Sequence, residues 1–451
     1  MEEADLKNVI EDIDYLALGK NGSMILNILV GNHPADIASI IQGLLEEHRK
    51  YVFGLLDADS ASDVIVELDD VTTEKLVAGL RHKRLSEIVD EMDSDDATDL
   101  VAELPEDVAE KVLDAIDEED SEEVKELLRH EEDTAGGIMA LEFVSVSLDE
   151  SVDAAIREIR VKADEVEIVY NVYAVDHGGV LVGYIPLKRL ILAKSNQKVK
   201  DIIVSDVISV PTEMDQEEVA NVFRRYNLVS LPVVNGEGRL VGRITVDDIV
   251  DVMEEEASED MQRMAGITDD EEIQETSAIK ISFGRLPWLL IAFVGEMFSA
   301  LVLSHFEASI QTIFIAALFI PLMMAMGGNS GIQAATIVVR GMALGEINPR
   351  HTYRRLLKEL RVAGITGSVC GLLLFGVVSL FGEPIFGVVL GVVMLVVIVN
   401  AAVFGASVPL MLKRVNVDPA IATGPFVTTF NDVFGLFIYL GLLTLAHRYI
   451  S

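Results

Sequence analysis

The sequence is poor in cysteine and tryptophan, with one of each among 451 residues. Its single cysteine, Cys370, excludes an intrachain disulfide, so the soluble part of the chain fits a reducing cytoplasm. The stretch from Met1 to Asp5 lacks the basic and apolar regions of a signal peptide, so none is predicted. We find no paired nucleophile and base, no H-E-x-x-H motif and no phosphate loop, so an enzyme is not predicted.

Positive charge is the other shortage, and it is unevenly distributed. Residues 284–451 contain 10 Lys or Arg and 7 Asp or Glu, a formal charge of +3. Residues 1–283 contain 25 Lys or Arg and 67 Asp or Glu, a formal charge of −42. Such acidity argues against nucleic acid as a partner and suits binding of cations. A solvated surface explains most of these carboxylates, and only clustered ones are expected to be ligands.

Residues 1–135 are predicted to form an acidic, all-helical solenoid. Short apolar segments recur there at helical spacing, and Asp or Ser precedes several of them as a predicted N-cap. Similar short helices of this kind stack on their neighbours. The run from Asp93 to Asp99 is dense enough in carboxylates to contribute to a metal site, with helix capping and solvation as the alternative explanation.

An internal duplication occupies residues 136–257. The segment from Asp176 to Gly183 aligns without a gap with the segment from Asn235 to Gly242, at an offset of 59 residues. Each copy, 136–200 and 201–257, is predicted to fold as strand, helix, strand, glycine-containing turn, strand and helix. The expected fold of both copies is therefore α/β.

This duplication resembles a tandem pair of cystathionine-β-synthase (CBS) domains, which are regulatory modules that commonly bind adenosine compounds. Thr245 and Asp248 match the Thr-x-x-Asp ribose-binding signature of such domains. The resemblance therefore implies ATP or another adenosine compound at the second copy. The first copy has Pro186 to Arg189 at the corresponding place, so nucleotide binding at both copies is not expected.

A polar connection at residues 258–283 is predicted to be helical, and a dense acidic run leads into it. Helical spacing places Asp248 and Asp251 on one face. The same spacing places Glu256, Glu259 and Asp260 together. Like charges so arranged repel, so either solvent and salt or bound divalent cations must offset them. Oxygen ligands of this kind suit hard divalent cations.

Residues 284–451 are predicted to form an all-helical domain that spans the plasma (inner) membrane. Five apolar segments are long enough to cross a bilayer: 287–304, 312–338, 362–381, 385–411 and 424–446. Basic residues are concentrated in every second connecting loop. By the positive-inside rule the N-terminal domains are cytoplasmic and the C-terminus is outside.

Polar side chains within these segments are candidates for an ion path, because such residues usually face a partner or water rather than lipid. Asp432 and Thr428 share a predicted helical face. The glycine-rich run 327–333, which contains Asn329, is predicted to break the second segment, since broken helices at membrane depth line cavities. Glu296 is a second intramembrane acid that either lines the path or contacts a neighbouring helix.

The donor chemistry indicates the ion. No membrane cluster of His, Cys or Met is arranged as a soft-metal site, which disfavours copper and zinc. A carboxylate with amide, hydroxyl and carbonyl oxygens suits a hard cation such as Mg²⁺, which usually keeps several of its waters. One Asp per chain is a small number of ligands, and a symmetric homodimer would place two around a shared axis.

Four motifs resemble the MgtE family of magnesium channels: Glu132-Asp133-x-Ala135-Gly136-Gly137-Ile138-Met139, Gly327-Gly328-Asn329-x-Gly331-x-Gln333, Asp418-Pro419-Ala420 and Pro425-Phe426-x-Thr428-Thr429 with Asp432. The resemblance covers essentially the whole chain in family order: helical N domain, CBS pair, connecting plug helix and five-helix pore. It implies a homodimer in the lipid bilayer with the pore at the dimer interface.

The resemblance also implies two sets of ion ligands. The pore site would use Asp432, with Asn329, Gly328 and Thr428 nearby. Cytosolic Mg²⁺, whose binding would compact the acidic domains and close the pore, would be held by a larger set: Asp95, Asp99, Gly136 (through its carbonyl), Asp248, Asp251, Glu256, Glu259 and Asp260.

Three functions follow as hypotheses. The first is a Mg²⁺ channel closed by cytosolic Mg²⁺. The second is a proton- or sodium-coupled divalent cation transporter that uses Glu296. The third is a membrane-bound sensor in which the CBS pair signals and the membrane part only anchors, although an anchor would not require Asp432.

Overall fold

The computed structural model describes residues 3–163, 166, 168–267, 278–344, 347, 352–415, 417–422 and 424–450. The chain divides into two compact units, Met1–Met253 and Glu254–Ser451.

The first unit begins with ten short helices, as the sequence predicts for an all-helical N domain. They are α1 (Glu3–Leu18), α2 (Gly22–Leu29), α3 (Pro34–Gly43), α4 (Glu46–Phe53), α5 (Ala58–Val66), α6 (Asp70–Val77), α7 (His82–Val89), α8 (Ser94–Ala102), α9 (Glu106–Leu113) and α10 (Glu118–Leu127). Acidic N-caps start several of them, and the Asp69 carboxylate accepts a hydrogen bond from Thr72 N at 2.9 Å. Alternate helices α1, α3, α5, α7 and α9 pack in succession around one apolar core.

Two similar α/β copies follow in the same unit, except that the last helix of the second copy continues into the second unit. The first comprises β1 (Ser145–Ser147), α11 (Val152–Val161), β2 (Asn171–Val175), β3 (Leu181–Pro186) and α12 (Leu187–Leu192). The second comprises β4 (Val210–Pro211), α13 (Gln216–Tyr226), β5 (Ser230–Val234), β6 (Leu240–Thr245) and α14 (Val246–Ala265). In each sheet the first two strands are parallel and the last two antiparallel. Tyr173 and Ser230 join the two copies through a buried hydrogen bond of 2.8 Å.

The helix α14 crosses the boundary predicted at 257/258. The acidic run and the start of the predicted connecting helix therefore belong to one continuous helix of 20 residues. Part of the predicted connection, residues 268–277, lies outside the described residues, and helix α15 begins at Ala278.

The second unit contains five helices that are long and apolar enough to cross a membrane, which confirms the predicted number. They are α15 (Ala278–His305), α17 (Phe314–Ala343), α18 (Thr352–Leu380), α19 (Pro384–Arg414) and α20 (Pro425–Ile450), with a short α16 (Glu307–Thr312) after the first. The helix α19 packs against α17, α18 and α20. Its buried face, which includes Leu390 and Val397, forms the centre of the core of this unit.

The predicted break in the second membrane segment is wrong. The helix α17 runs without interruption through the glycine-rich run 327–333, and none of its glycines has a positive φ. The small residues serve close packing instead. A Cβ atom at Gly405 of α19 would collide with the carbonyl oxygen of Gly331, and one at Gly331 would collide with the Asn431 side chain of α20. Small residues allow membrane helices to approach in this way.

We predict that Gly405→Ala destabilises the membrane domain, because the added methyl group has no space against Gly331 O. Overpacking of this kind costs about 1–3 kcal/mol. The full-length protein in detergent should therefore unfold several degrees lower, as measured by thermal denaturation. The matched control is Gly376→Ala, where a Cβ meets no atom within 4 Å. Equal unfolding temperatures for the two variants would contradict the packing role.

Candidate divalent-cation sites

The acidic cluster at the start of α8 is built around a carboxylate from outside the helical domain. Glu142, which precedes the first strand of the α/β pair, accepts hydrogen bonds from Ser94 N and Ser94 Oγ, both at 2.9 Å. Ser94 Oγ in turn accepts from Leu141 N at 2.9 Å. These bonds hold the N-terminus of α8 against the segment that leads into the α/β pair.

This arrangement brings several carboxylates together. Asp93, Asp95 and Glu142 each offer an oxygen atom within 4.8 Å of the others, close enough to share one metal ion. Burial raises the pKa of Asp95 well above its ordinary value, and the next largest contributions come from four other carboxylates: Asp96, Asp248, Glu142 and Asp93. The low-dielectric surroundings and the like charges both disfavour the ionised form.

Burial and neighbouring carboxylates act on the pKa of Asp96 as well. Burial raises its pKa to about 7, and Asp93, Asp248 and Asp99 add to the effect. Asp248 reaches this cluster from the first turn of α14, and burial raises its pKa as well. The helix that links the two units thus begins at the acidic cluster.

The structure therefore brings together three of the predicted cytosolic ligands, Asp95, Asp99 and Asp248. Sequence reasoning missed Asp93, Asp96 and Glu142 as site residues. The first two lie within the acidic run already noted, so density of charge was the available signal. Glu142 is a single acid in an apolar stretch, 43 residues after Asp99 in the sequence, and only the fold places it there.

Gly136 is positioned by other contacts. Its N–H donates to Thr212 O at 2.9 Å, and a Cβ atom would collide with the His130 ring. In the described part of the chain, no hydrogen bond links Gly136 to Asp95 or Asp248. Its role as a carbonyl ligand stays a prediction.

Thr245 and Asp248, the ribose-binding signature, lie side by side. The Asp248 carboxylate accepts hydrogen bonds from Thr245 N and Thr245 Oγ1, both at 2.8 Å. These bonds cap the start of α14. The same carboxylate therefore belongs both to the predicted nucleotide site and to the acidic cluster.

The far end of α14 carries the other predicted acids and belongs to the second unit. Glu259 pairs with Arg263 one turn later, and Arg263 Nη1 donates to Asp418 Oδ2 at 2.5 Å. Burial raises the pKa of Asp260 to about 6, with contributions from Asp418 and Glu256. The end of α14 is therefore tied to the loop before α20. Asp251 lies between the two ends and is exposed.

This contact extends to the first residue before α20. A Cβ atom at Gly424 would lie 3.0 Å from Met264 O and 3.3 Å from Gly266 N. Thr428 Oγ1 donates to Gly424 O at 3.4 Å. The end of α14 thus reaches the start of the helix that carries Asp432.

Within the membrane helices, Asp432 hydrogen-bonds the side chain of Glu296 on α15. Thr428 lies one turn before Asp432 on the same helix. Gly328 is buried and Asn329 exposed on α17, and in the described chain no hydrogen bond links either residue to Asp432. The partner that the structure provides for Asp432 is therefore Glu296.

The chain matches three known family models over most of its length. The family model described as a divalent cation transporter, MgtE, matches residues 320–442. The MgtE intracellular N domain matches residues 32–133, and the CBS domain matches residues 199–255. The magnesium transporter MgtE of Thermus thermophilus is 36% identical over 417 residues, which are 92% of this chain and 93% of that protein. The chain belongs to the MgtE family.

Two further similarities agree with this family. The magnesium transporter MgtE of Enterococcus faecalis is 37% identical over 420 residues, 92% of each chain. A crystal structure of the soluble part of a magnesium transporter superposes with a TM-score of 0.52 at 30% identity. It covers 56% of this chain and 99% of that one. The family's membrane transport of divalent cations fits the five candidate membrane helices.

We predict that Mg²⁺ stabilises the protein through the Asp95 cluster, since a cation offsets the repulsion among buried carboxylates. At 100 times the dissociation constant, one bound ion adds about 2.7 kcal/mol to the free energy of unfolding. Asp95→Asn should raise the unfolding temperature in EDTA and reduce the further increase on adding Mg²⁺. The measurement is thermal denaturation of the full-length protein in detergent.

The thermal denaturation should be measured at about pH 8, because this pH lies above the raised pKa of Asp96 of about 7. A group whose folded pKa lies above its unfolded value stabilises the fold at low pH, and this contribution is lost as the pH rises through the folded pKa. At pH 8 the Asp96 carboxyl group is mostly ionised, so the repulsion within the cluster is stronger than at lower pH. Asp107→Asn is the control, because Asp107 is an exposed acid that pairs with Lys111 one turn later. A Mg²⁺ effect of equal size in wild type and Asp95→Asn would count against the site.

Proposed function

We propose that this protein is a Mg²⁺-selective channel for uptake across the plasma membrane, closed when cytosolic Mg²⁺ binds its acidic domains. The observation that carries the proposal is the course of α14. Its first turn places Asp248 in the acidic cluster, and its last turn packs against Gly424 at the start of α20. The same continuous helix thus supplies a carboxylate to the acidic cluster at its start, and at its end it contacts the residue that precedes the Asp432 helix.

The direction of gating follows from charge. With a formal charge of −42 on residues 1–283, the acidic domains repel one another when Mg²⁺ is scarce, which favours an expanded arrangement. Bound cations bridge carboxylates from different elements. A shift from mostly open to mostly closed requires about 5.5 kcal/mol of differential binding, which several weak sites acting together can supply. We infer that Asp95, Asp99 and Asp248, with Asp93 and Glu142, form the principal sensor site.

The second group of acids acts at the plug. Glu256, Glu259 and Asp260 lie on the part of α14 that approaches the membrane domain, where Arg263 bonds Asp418. Divalent cations bound there would hold the end of α14 in place. Asp251, which shares a helical face with Asp248, belongs to the proposed ligands of the first unit.

We propose that the functional unit is a homodimer with the N-terminal domains in the cytoplasm and the C-terminus outside. Support for the dimer comes from α15. Only 6% of its most apolar stretch is buried within one protomer, against 28% to 44% for the other four membrane helices. Glu296 also lies on this helix and is exposed in the protomer. A partner subunit would cover this surface and complete a pore around two Asp432 residues, with Asn329, Gly328 and Thr428 nearby.

The alternative is a proton- or sodium-coupled divalent cation transporter. The hydrogen bond between Glu296 and Asp432 favours it over a simple sensor, because an anchor has no need for paired carboxyl groups at membrane depth. Transport that runs with no coupling gradient of protons or sodium would separate the channel from the carrier.

We also propose that ATP or another adenosine compound binds the second CBS copy through Thr245 and Asp248. Their adjacency supports this assignment. Because Asp248 belongs to the Mg²⁺ cluster too, nucleotide and Mg²⁺ binding would be coupled at this residue.

Mg²⁺ currents in inside-out patches test the channel proposal, because this arrangement exposes the cytosolic face to the bath. Wild-type current should fall as bath Mg²⁺ rises. Asp432→Asn should reduce the current about tenfold or more, since an intramembrane carboxylate supplies the main attraction for the ion. Asp95→Asn and Asp248→Asn should conduct normally at low bath Mg²⁺ and need higher concentrations to close.

The matched control is Glu383→Gln, an exposed acid in the loop between α18 and α19, which should behave as wild type. Unaltered current in Asp432→Asn would place the ion path elsewhere. If the wild-type current does not change with bath Mg²⁺, the acidic clusters are a solvated surface and do not sense the ion.

A further inference from the structure

The carboxyl pair Glu296–Asp432 connects two different membrane helices. The side chains hydrogen-bond each other across the contact between α15 and α20. The helices approach closely there, because a Cβ atom at Gly295 would collide with the Thr429 side chain. Glycine at residue 295 therefore allows the neighbouring Glu296 to reach Asp432, three residues beyond Thr429.

The other faces of α20 are already occupied by different contacts. Asn431 packs against Gly331 of α17. Phe430 stacks between Phe404 of α19 and Phe434. The side of α20 that carries Asp432 is thus the one directed to α15, and Glu296 is the acid that α15 presents to it.

A second polar group lies on the Glu296 face of α15. Ser299 follows Glu296 by three residues, so helical geometry places both on one side. Its side chain is 4% exposed, and its Oγ has no hydrogen-bond partner in the described part of the chain. A buried hydroxyl without a partner in a membrane domain costs free energy unless water or an ion meets it. Glu296 itself is exposed in the protomer, where a position facing lipid would be unfavourable for a carboxylate.

We propose that Glu296 is a second carboxylate of the ion path, which acts with Asp432 on the same permeating divalent cation and sets its preference over monovalent ions. The proposal rests on the channel function and deepens it. In the proposed homodimer the pair is present twice, so the path would contain two Glu296 carboxyl groups in addition to the two of Asp432, and it would carry more negative charge than Asp432 alone provides. Because the electrostatic attraction scales with the product of the charges, the second carboxylate favours the divalent ion. Ser299 Oγ supplies a further oxygen donor one turn along α15.

Monovalent current and its block by Mg²⁺ provide the test. In patches with Na⁺ as the main cation and no added divalent ion, the channel should carry Na⁺. Micromolar to millimolar Mg²⁺ on the extracellular side should then block that current. In Glu296→Gln the Mg²⁺ concentration for half-block should rise about tenfold or more, because one charge is lost while the shape of the side chain is kept. Glu296→Asp, which keeps the charge, should lie close to wild type.

The controls separate this inference from the channel proposal. Glu383→Gln should leave the half-block concentration unchanged. An unchanged half-block in Glu296→Gln, together with a large change in Asp432→Asn, would overturn the role of Glu296 and leave the channel intact. A Glu296→Gln variant with normal block but a lower unfolding temperature would assign the residue to helix packing, which also overturns the proposal. If Asp432→Asn has no effect either, the channel proposal itself fails.

Discussion

The structure depends on the arrangement of like charges in poorly solvated positions. Two unit charges 4 Å apart interact with about 4 kcal/mol at an effective dielectric constant of 20. The hydrogen bonds between Glu142 and Ser94 bring Asp93, Asp95 and their neighbours into such proximity. The repulsion is tolerated where carboxyl groups hold protons or where a cation lies among them. In the proposed function, this repulsion is what makes the first unit responsive to divalent cations.

In the proposed function, helix α14 links this local electrostatic constraint to gating. It has 20 residues, which correspond to about 30 Å of helix. Its first turn contributes Asp248 to the cluster, and its last turn contacts the loop of Asp418 and Gly424. A two-state arrangement of such a helix, biased by cation binding, is sufficient for gating in the proposed function. At the Glu296–Asp432 pair, the permeating ion would likewise be attracted by closely spaced carboxyl groups.

Much of this organisation follows from the sequence. The change from an acidic to an apolar composition, the duplication with its offset of 59 residues and the five apolar segments depend on local pattern. They predicted the domain types and the number of membrane helices. Charge density likewise indicated the acidic run at α8 and the acids of α14.

Other features depend on tertiary contacts that a local pattern does not contain. The glycine-rich run of α17 resembled a helix break, but its glycines provide room for α19 and α20 within an intact helix. Glu142 became recognisable as a cluster residue only through its bonds to Ser94. The pairing of Glu296 with Asp432 required the packing of α15 on α20, although both residues were noticed individually as intramembrane acids.

The most direct test of the central claim is anomalous diffraction from crystals of the protein grown with Mn²⁺ in place of Mg²⁺. Mn²⁺ accepts the same oxygen ligands and scatters anomalously, so its position is observed rather than inferred. If these carboxylates bind the cation, an anomalous peak lies among the side chains of Asp93, Asp95, Glu142 and Asp248. Peaks confined to other parts of the molecule, with none in this cluster at saturating Mn²⁺, would contradict the claim.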